Sequence, residues 1–204
     1  LSFDPYYFVV TLFAVVISIT IHEFAHAAAA VAAGDETPRL SGRISLNPLD
    51  HFDPVGFTMI VIMVFAGFGI GWGKPVPVNP YNFRRPRWDD IRVSAFGPLS
   101  NIALAVVSAM ALRFAGPMLG DGLQFLLNTL VWVNIGLAVF NLIPLPPLDG
   151  SHIMAGLLPA EQARKYAQFA GQWGVAILLF LLLTGGLRFI IGPPIYALQR
   201  LLLG

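Results

Sequence analysis

The sequence predicts an all-α polytopic membrane protein of about five to six transmembrane helices, with one re-entrant segment and a short β-strand or extended region close to its functional residues. Three observations predict it. Of the 204 residues, 56% are hydrophobic and only 11% charged, and the mean hydropathy is +0.73, far above that of an ordinary soluble domain. Apolar runs reaching or approaching the roughly 20 residues that span a bilayer recur along the whole length, so no single anchor accounts for them. The longest break between two such runs is rich in proline, glycine and asparagine, which favours turns and extended chain over helix. A single integral-membrane domain, 1–204, is the simplest organisation, with a core at 7–150 and a C-terminal helical hairpin at 151–204.

Residues Phe8 to Ala33 form the first span, about 26 residues or ~39 Å of helix. Gly34 and the polar stretch "GDETPR" end it. The run lacks a basic n-region and carries charged groups in its middle, so it reads as a retained helix and not a signal peptide. Gly42 to Phe57, "GRISLNPLDHFDPVGF", alternates polar and turn-forming residues and belongs at the membrane surface. Val55 to Ala66 is apolar but only about 12 residues long, too short for a comfortable crossing, so Val55 to Trp72 reads as re-entrant. Lys74 to Phe83, "KPVPVNPYNF", interleaves proline with valine and is extended.

Ile91 to Phe114 is the second span and Leu123 to Ile143 the third, the latter stopped by the prolines of "PLPPLDG". A polar patch around "EQARKY" follows. Trp173 to Leu183, a short arm, and Leu187 to Leu203 then close the chain as a hairpin around "TGG". Arg39, Arg43, Lys74, Arg84, Arg85, Arg87 and Arg92 lie between the first and second spans, and Arg164 and Lys165 follow the third. By the positive-inside rule these regions are cytoplasmic and the N-terminus is outside, a parity that holds if Val55 to Trp72 returns to the side it entered, with a true sixth crossing as the alternative its glycines leave open.

Charge and cysteine narrow the chemistry. A formal charge of +1 without a basic block gives no nucleic-acid surface, and the absence of cysteine removes disulfides and thiolate metal sites. Inside the first span, "SITIHEFAHAAAA" places His22, Glu23 and His26 in a run that is otherwise uncharged. An acid at the bilayer centre costs roughly 2.5 to 3.5 kcal/mol, so such groups are functional candidates by default. His22 and His26 are one helical turn apart on one face, within reach of one ion. Glu23 is turned about 100° from His22, beside that ion, where a carboxylate can take a proton from a metal-activated water.

Two histidines leave a catalytic zinc site one protein ligand short. Asp149 in "NLIPLPPLDG" is the first choice, an acid at a proline-broken helix end; His51, Asp53 and His152 compete, although His51 and Asp53 sit in a polar loop where exposure is the simpler state. Without the histidines, an Asp-Gly surface turn would account for Asp149. Asn134 precedes Asn141 by about two turns of the third span, so both can face one groove, while a helix-to-helix hydrogen bond accounts for Asn134 equally well. The Lys74 to Phe83 edge can pair with an extended chain by strand addition, with Asn79 and Asn82 as polar contacts, while Pro75, Pro77 and Pro80 equally suit a guard against wrong pairing.

Together "HEFAH", "GRISLNPLDHFDPVG", "WGKPVPVNPYNFR", "GPLSN" and "NLIPLPPLDG" resemble the site-2 protease family of intramembrane zinc metalloproteases, in its compact branch without a PDZ domain. The resemblance covers residues from about 18 to 160. It implies one zinc per chain held by His22, His26 and Asp149, Glu23 as the catalytic glutamate, and Asn141 as the asparagine that handles the substrate backbone. It also implies a membrane-protein substrate cleaved in or near a transmembrane segment, and a prokaryotic cell membrane with the active site nearer the cytoplasmic side. The rival readings are a proton-coupled transporter, which should show inverted repeats that this sequence lacks, and a metal-binding scaffold that grips membrane proteins without cutting them. A scaffold has no need of Glu23.

Overall fold

The computed structural model describes residues 4–66 and 69–204, and among these the chain is helical with no strand. Leu1 to Phe3, and Gly67 and Phe68 within the expected re-entrant segment, lie outside the described residues. Helix α1 (Pro5–Ala33) is capped by Asp4, whose side chain accepts from the Tyr6 amide at 2.9 Å, with Pro5 in the first turn. A short α2 (Thr37–Leu40) and a 3-10 turn at Pro48–His51 lead to α3 (Pro54–Ala66). α4 (Pro86–Ala115) and α5 (Asp121–Asn141) pack against α1, and α6 (Asp149–Leu157) lies across the start of α4. α7 (Ala160–Leu183) and α8 (Leu187–Leu203) close the chain.

Among the described residues, four helices are long and apolar enough to cross a membrane: α1, α4 with the turn that follows it, α5 and α7. This is fewer than the five to six expected. α8 has only 17 residues and contains Pro193 and Pro194, and α3 has 13. α7 corrects a second expectation, because "EQARKY" does not interrupt it and the arm expected to be short is a 24-residue helix. Glu, Gln, Ala, Arg and Lys are strong helix formers, so polarity there moves the surface of the helix and not its backbone.

The packing is that of a bilayer protein. Val9, Phe65, Val107, Phe114 and Phe189 are exposed on the outside, while Ser18, Asn101, Ser108 and Asn134 are buried between helices. A lipid-facing surface needs no polar cover, and small and polar groups join helices where apolar burial gives no net drive. One apolar core joins Ala105 and Ala109 of α4 to Val131 and Ile135 of α5, with Ile195, Leu198 and Leu202 of α8 packed on it.

Beyond α3 the chain doubles back. A Cβ on Gly69 would touch Met63, one on Gly71 would meet the backbone of Ile60, and one on Gly56 would meet Trp72. Lys74 N then donates to His51 O at 2.8 Å, returning the chain beside the start of α3. Lys74 to Val78 is neither helix nor turn and has no ladder partner among the described residues, so the expected short strand or extended region is an unpaired segment. Both ends of it are tied. Asp35, fully buried just past α1, accepts from Asn79 N at 2.7 Å and from Asn82 Nδ2 at 2.8 Å.

Candidate active site

His22 and His26 project from α1 toward α4 and α6. Their Nδ1 atoms are committed: that of His26 lies 2.8 Å from Val93 O, and that of His22 lies 2.6 Å from Asn101 Oδ1. A carbonyl oxygen only accepts, and the Asn101 amide nitrogen is already donating to Ser18 O at 3.2 Å and Asn134 Oδ1 at 2.8 Å. Both imidazoles therefore donate from Nδ1, so in the neutral ring it is Nε2 whose lone pair is left to bind a metal. The two Nε2 atoms are 3.0 Å apart. Asp149, at the first position of α6, closes the triangle, with Oδ2 3.2 Å from His22 Nε2 and Oδ1 3.3 Å from His26 Nε2.

Three potential metal ligands thus face each other across short distances. Asp149 Oδ2 is buried and accepts no hydrogen bond despite its short distance to His22. With neutral imidazoles, the lone pairs of this triangle converge on one point, which a bound cation would satisfy. Ligands about 2.0 to 2.1 Å from a tetrahedral zinc stand about 3.3 Å from one another, and the three separations here are 3.0, 3.2 and 3.3 Å. The donor set, two imidazoles and a carboxylate, is also one that zinc favours. His22, His26 and Asp149 are the one group of metal-ligating side chains found together among the described residues.

The fold explains why these groups meet. Pro98 lies inside α4 and has no N–H for the Ser94 carbonyl, which loosens the backbone ladder one turn from where Val93 O meets His26. Gly97 has no Cβ, and one there would sit 2.5 Å from His26 Cε1 and 2.7 Å from His22 Cε1, so α4 closes on the rings only with glycine at that position. Arg87 donates to Gly156 O at 2.6 Å and Leu158 O at 3.1 Å, anchoring the end of α6 to the start of α4 and with it the helix that carries Asp149.

A cavity of about 690 Å³ opens beside the three residues, lined by Glu23, Val76, Asn141, Asp90, His152 and the ligand triad among others. Glu23 Oε2 accepts from the Val76 amide at 3.1 Å. Asn141 is half-buried on the wall, its Nδ2 donating to Leu137 O at 3.0 Å. Asn134 is elsewhere: it is fully buried and donates to Ser18 Oγ at 2.8 Å and Leu130 O at 2.8 Å, away from the cavity. Asn79 lies at the far end of the unpaired segment, where its Oδ1 accepts from Tyr81 N at 3.2 Å.

The competing ligands stand apart from the triad. His51 is buried, contrary to the exposure expected of a polar loop, because its Nε2 donates to Ser45 O at 2.8 Å as the loop folds on itself. Asp53 accepts from Gly56 N at 2.6 Å at the start of α3. His152 faces Asp90, 3.4 Å away, on the cavity wall. Sequence reasoning gave no role to Asn101 or Gly97. An asparagine and a Gly-Pro pair within an apolar span were the available signal.

Comparison with known proteins agrees with the geometry. The profile of Peptidase family M50 matches residues 110–184, which include Asp149. The chain is 38% identical over 204 residues to YwhC of Bacillus subtilis (strain 168), named as a candidate zinc metalloprotease, covering 97% of this chain and 89% of that protein. It is 30% identical to Rip2 of Mycolicibacterium smegmatis, a protein named in the same way, over 89% of this chain and 69% of the relative. Rip2 of Mycobacterium tuberculosis (strain H37Rv) is also 30% identical, over 87% of this chain and 68% of its own length. No solved structure matches. On the strength of a relative 38% identical over nearly the whole chain, five ordered motifs and the converging histidines and aspartate, the chain belongs to Peptidase family M50, the site-2 protease family.

Proposed function

We propose that this integral membrane protein is a zinc metalloendopeptidase that hydrolyses peptide bonds in or near the transmembrane segments of membrane-protein substrates. The observation that carries the reading is the convergence of two imidazole Nε2 atoms and a carboxylate beside Glu23 at the wall of one cavity. His22, His26 and Asp149 would hold one zinc. Zinc, when bound, supplies the Lewis acidity that activates a water molecule and polarises a peptide carbonyl.

The remaining work falls to the chain. Glu23 accepts the proton at its carboxylate as the peptide carbonyl is attacked, and passes it to the departing amine. Its Oε2 is steadied by the Val76 amide. Asn101 and Val93 hold the two rings in the tautomer that binds metal, and Asn134 supports Asn101 from behind. Asn141 has its amide nitrogen occupied by Leu137 O, so its Oδ1 is left to accept from the N–H of an unwound substrate. The Lys74 to Val78 segment lines the same cavity through Val76 and Val78 and offers that substrate an edge to pair with, ending at Asn79.

The placement in the membrane follows the same logic. α1 and α5 run inward and α4 outward in a prokaryotic cell membrane, with the basic residues between α1 and α4 on the cytoplasmic side and the active site nearer to it. The return of the chain beside the start of α3 supports a re-entrant hairpin over Val55 to Trp72 within one domain. The function is tested by Glu23→Gln. The amide preserves size but is no base, so zinc stays bound while cleavage of a transmembrane peptide in detergent falls by about 10²-fold or more. Undiminished cleavage would remove Glu23 from the chemistry.

A further inference from the structure

Arg43 is buried, and its guanidinium meets no carboxylate within ion-pair distance among the described residues. Its donors go instead to three backbone carbonyls: Nη1 to Asp50 O at 2.6 Å and to Lys74 O at 3.2 Å, and Nη2 to Pro75 O at 3.1 Å. Burying a full positive charge for backbone carbonyls alone is costly. A surface loop has no need of that arrangement.

Two of the three carbonyls it grips, those of Lys74 and Pro75, belong to a segment with a particular donor pattern. In "KPVPV", Pro75 and Pro77 carry no N–H, so Val76 supplies the one backbone donor between Lys74 and Val78. That donor is spent on Glu23 Oε2, at 3.1 Å. Lys74 N is held by His51 O at 2.8 Å, and Asn79 N by Asp35 at 2.7 Å. The segment is therefore a strap fixed at both ends, with a single amide aimed at the carboxylate. Arg43 fixes the two carbonyls immediately before that amide, and so sets where it points.

We propose that Arg43 is a positioning residue for Glu23, acting through the strap Lys74 to Val76 and the one amide in it that donates to Glu23. The proposal rests on Glu23 being the base of the proposed protease. A carboxylate with one oxygen anchored keeps the other in a fixed place, and misplacement of a catalytic group by about 1 Å can cost about 10² in rate. Loss of Arg43 releases three carbonyls, two of them in the strap, lets the strap drift and leaves Glu23 to wander, with His22, His26 and Asp149 untouched.

The test uses the full chain in detergent, loaded with zinc, and a fluorescence-quenched peptide of a transmembrane sequence, with Arg43→Gln, Arg43→Lys, Glu23→Gln and the Arg43→Gln/Glu23→Gln double variant. Arg43→Gln should lower kcat about tenfold or more, with KM changed less than about twofold and one zinc retained per chain. Arg43→Lys, which keeps the charge and part of the donor set, should fall between it and wild type. In the Glu23→Gln background Arg43→Gln should cost nothing further, because the group it positions is already inert.

Hydrogen exchange gives a readout independent of turnover. Since prolines carry no amide, the segment reports Lys74, Val76 and Val78 alone, and Arg43→Gln should speed exchange there about tenfold. A mere loop staple would multiply its loss with that of Glu23→Gln, and that result overturns the proposal, as would an unchanged kcat or unchanged exchange. If Arg43→Gln fails to fold, Arg43→Lys carries the same comparisons. Equal activity of Glu23→Gln and wild type would reject the protease reading itself, whereas an inert Glu23→Gln beside a fully active Arg43→Gln rejects this inference alone.

Discussion

Gly97→Ala adds one methyl group at the tightest helix contact in the active site. The new Cβ would lie 2.5 Å from His26 Cε1 and 2.7 Å from His22 Cε1, about 0.9 and 0.7 Å inside the 3.4 Å at which ordinary contacts begin. Neither ring can simply rotate away, because each Nδ1 is held, one by Asn101 and the other by the Val93 carbonyl on α4 itself. Relief requires α4 and α1 to part by most of an ångström. Metal-ligand distances tolerate only about 0.2 Å, so zinc should weaken by about 10²-fold or more and cleavage should fall with it. Alanine is otherwise the better helix residue by about 1 kcal/mol, so any loss must come from the collision. Gly136→Ala and Gly171→Ala are the controls, since a Cβ at either position meets nothing within 4 Å. Chelator competition on purified protein reads the affinity. A Gly97→Ala chain with wild-type affinity and turnover would refute the claim that this contact shapes the metal site.

Two further outcomes test the support around the site. Asn101→Leu should weaken zinc by about 10- to 100-fold by removing the acceptor on His22 Nδ1, while Asn101→Asp, which keeps an oxygen there, should lose less; chelator competition on both variants decides, and equal losses would contradict the tautomer argument. Asp35 is pushed up by burial, but donors from Thr37, Asn79 and Asn82 more than offset this and hold its carboxyl below its ordinary value of 3.8. A group depressed in the folded state adds stability that is complete above its unfolded pKa and is lost as pH falls through the lower folded value, here below about 3.8. Asp35→Asn should therefore cost about 2 to 4 kcal/mol near neutral pH, and thermal unfolding from pH 7 to 3 should show a smaller acid-side loss than in wild type.

The parts of this molecule that follow a local period were legible before the structure. His22 and His26 share a face because four residues make about one turn, and Glu23 falls beside them by the same rule. Asp149 was legible as an acid placed where prolines end an apolar span. What was not legible depends on contacts remote in sequence: Asn101 is 79 positions from His22, and nothing local says that its oxygen fixes that ring. Gly97 matters only because α4 happens to cross α1 at that height. The polarity of "EQARKY" suggested a break, but helix propensity and not hydropathy decides the backbone, so α7 runs through it. The valines of "KPVPV" suggested a strand, yet a strand needs a partner, and the Val76 amide there found Glu23 instead.

The central claim is that α1 and α6 together build one zinc site from His22, His26 and Asp149. Zinc content per chain, measured by mass spectrometry on wild type and Asp149→Ala purified side by side, tests it most directly, because Asp149 is the ligand that joins two distant parts of the sequence. One zinc per wild-type chain and the loss of most of it in Asp149→Ala is the result this account requires. One zinc per chain in both would contradict it and send the search for a third ligand to His152 or His51.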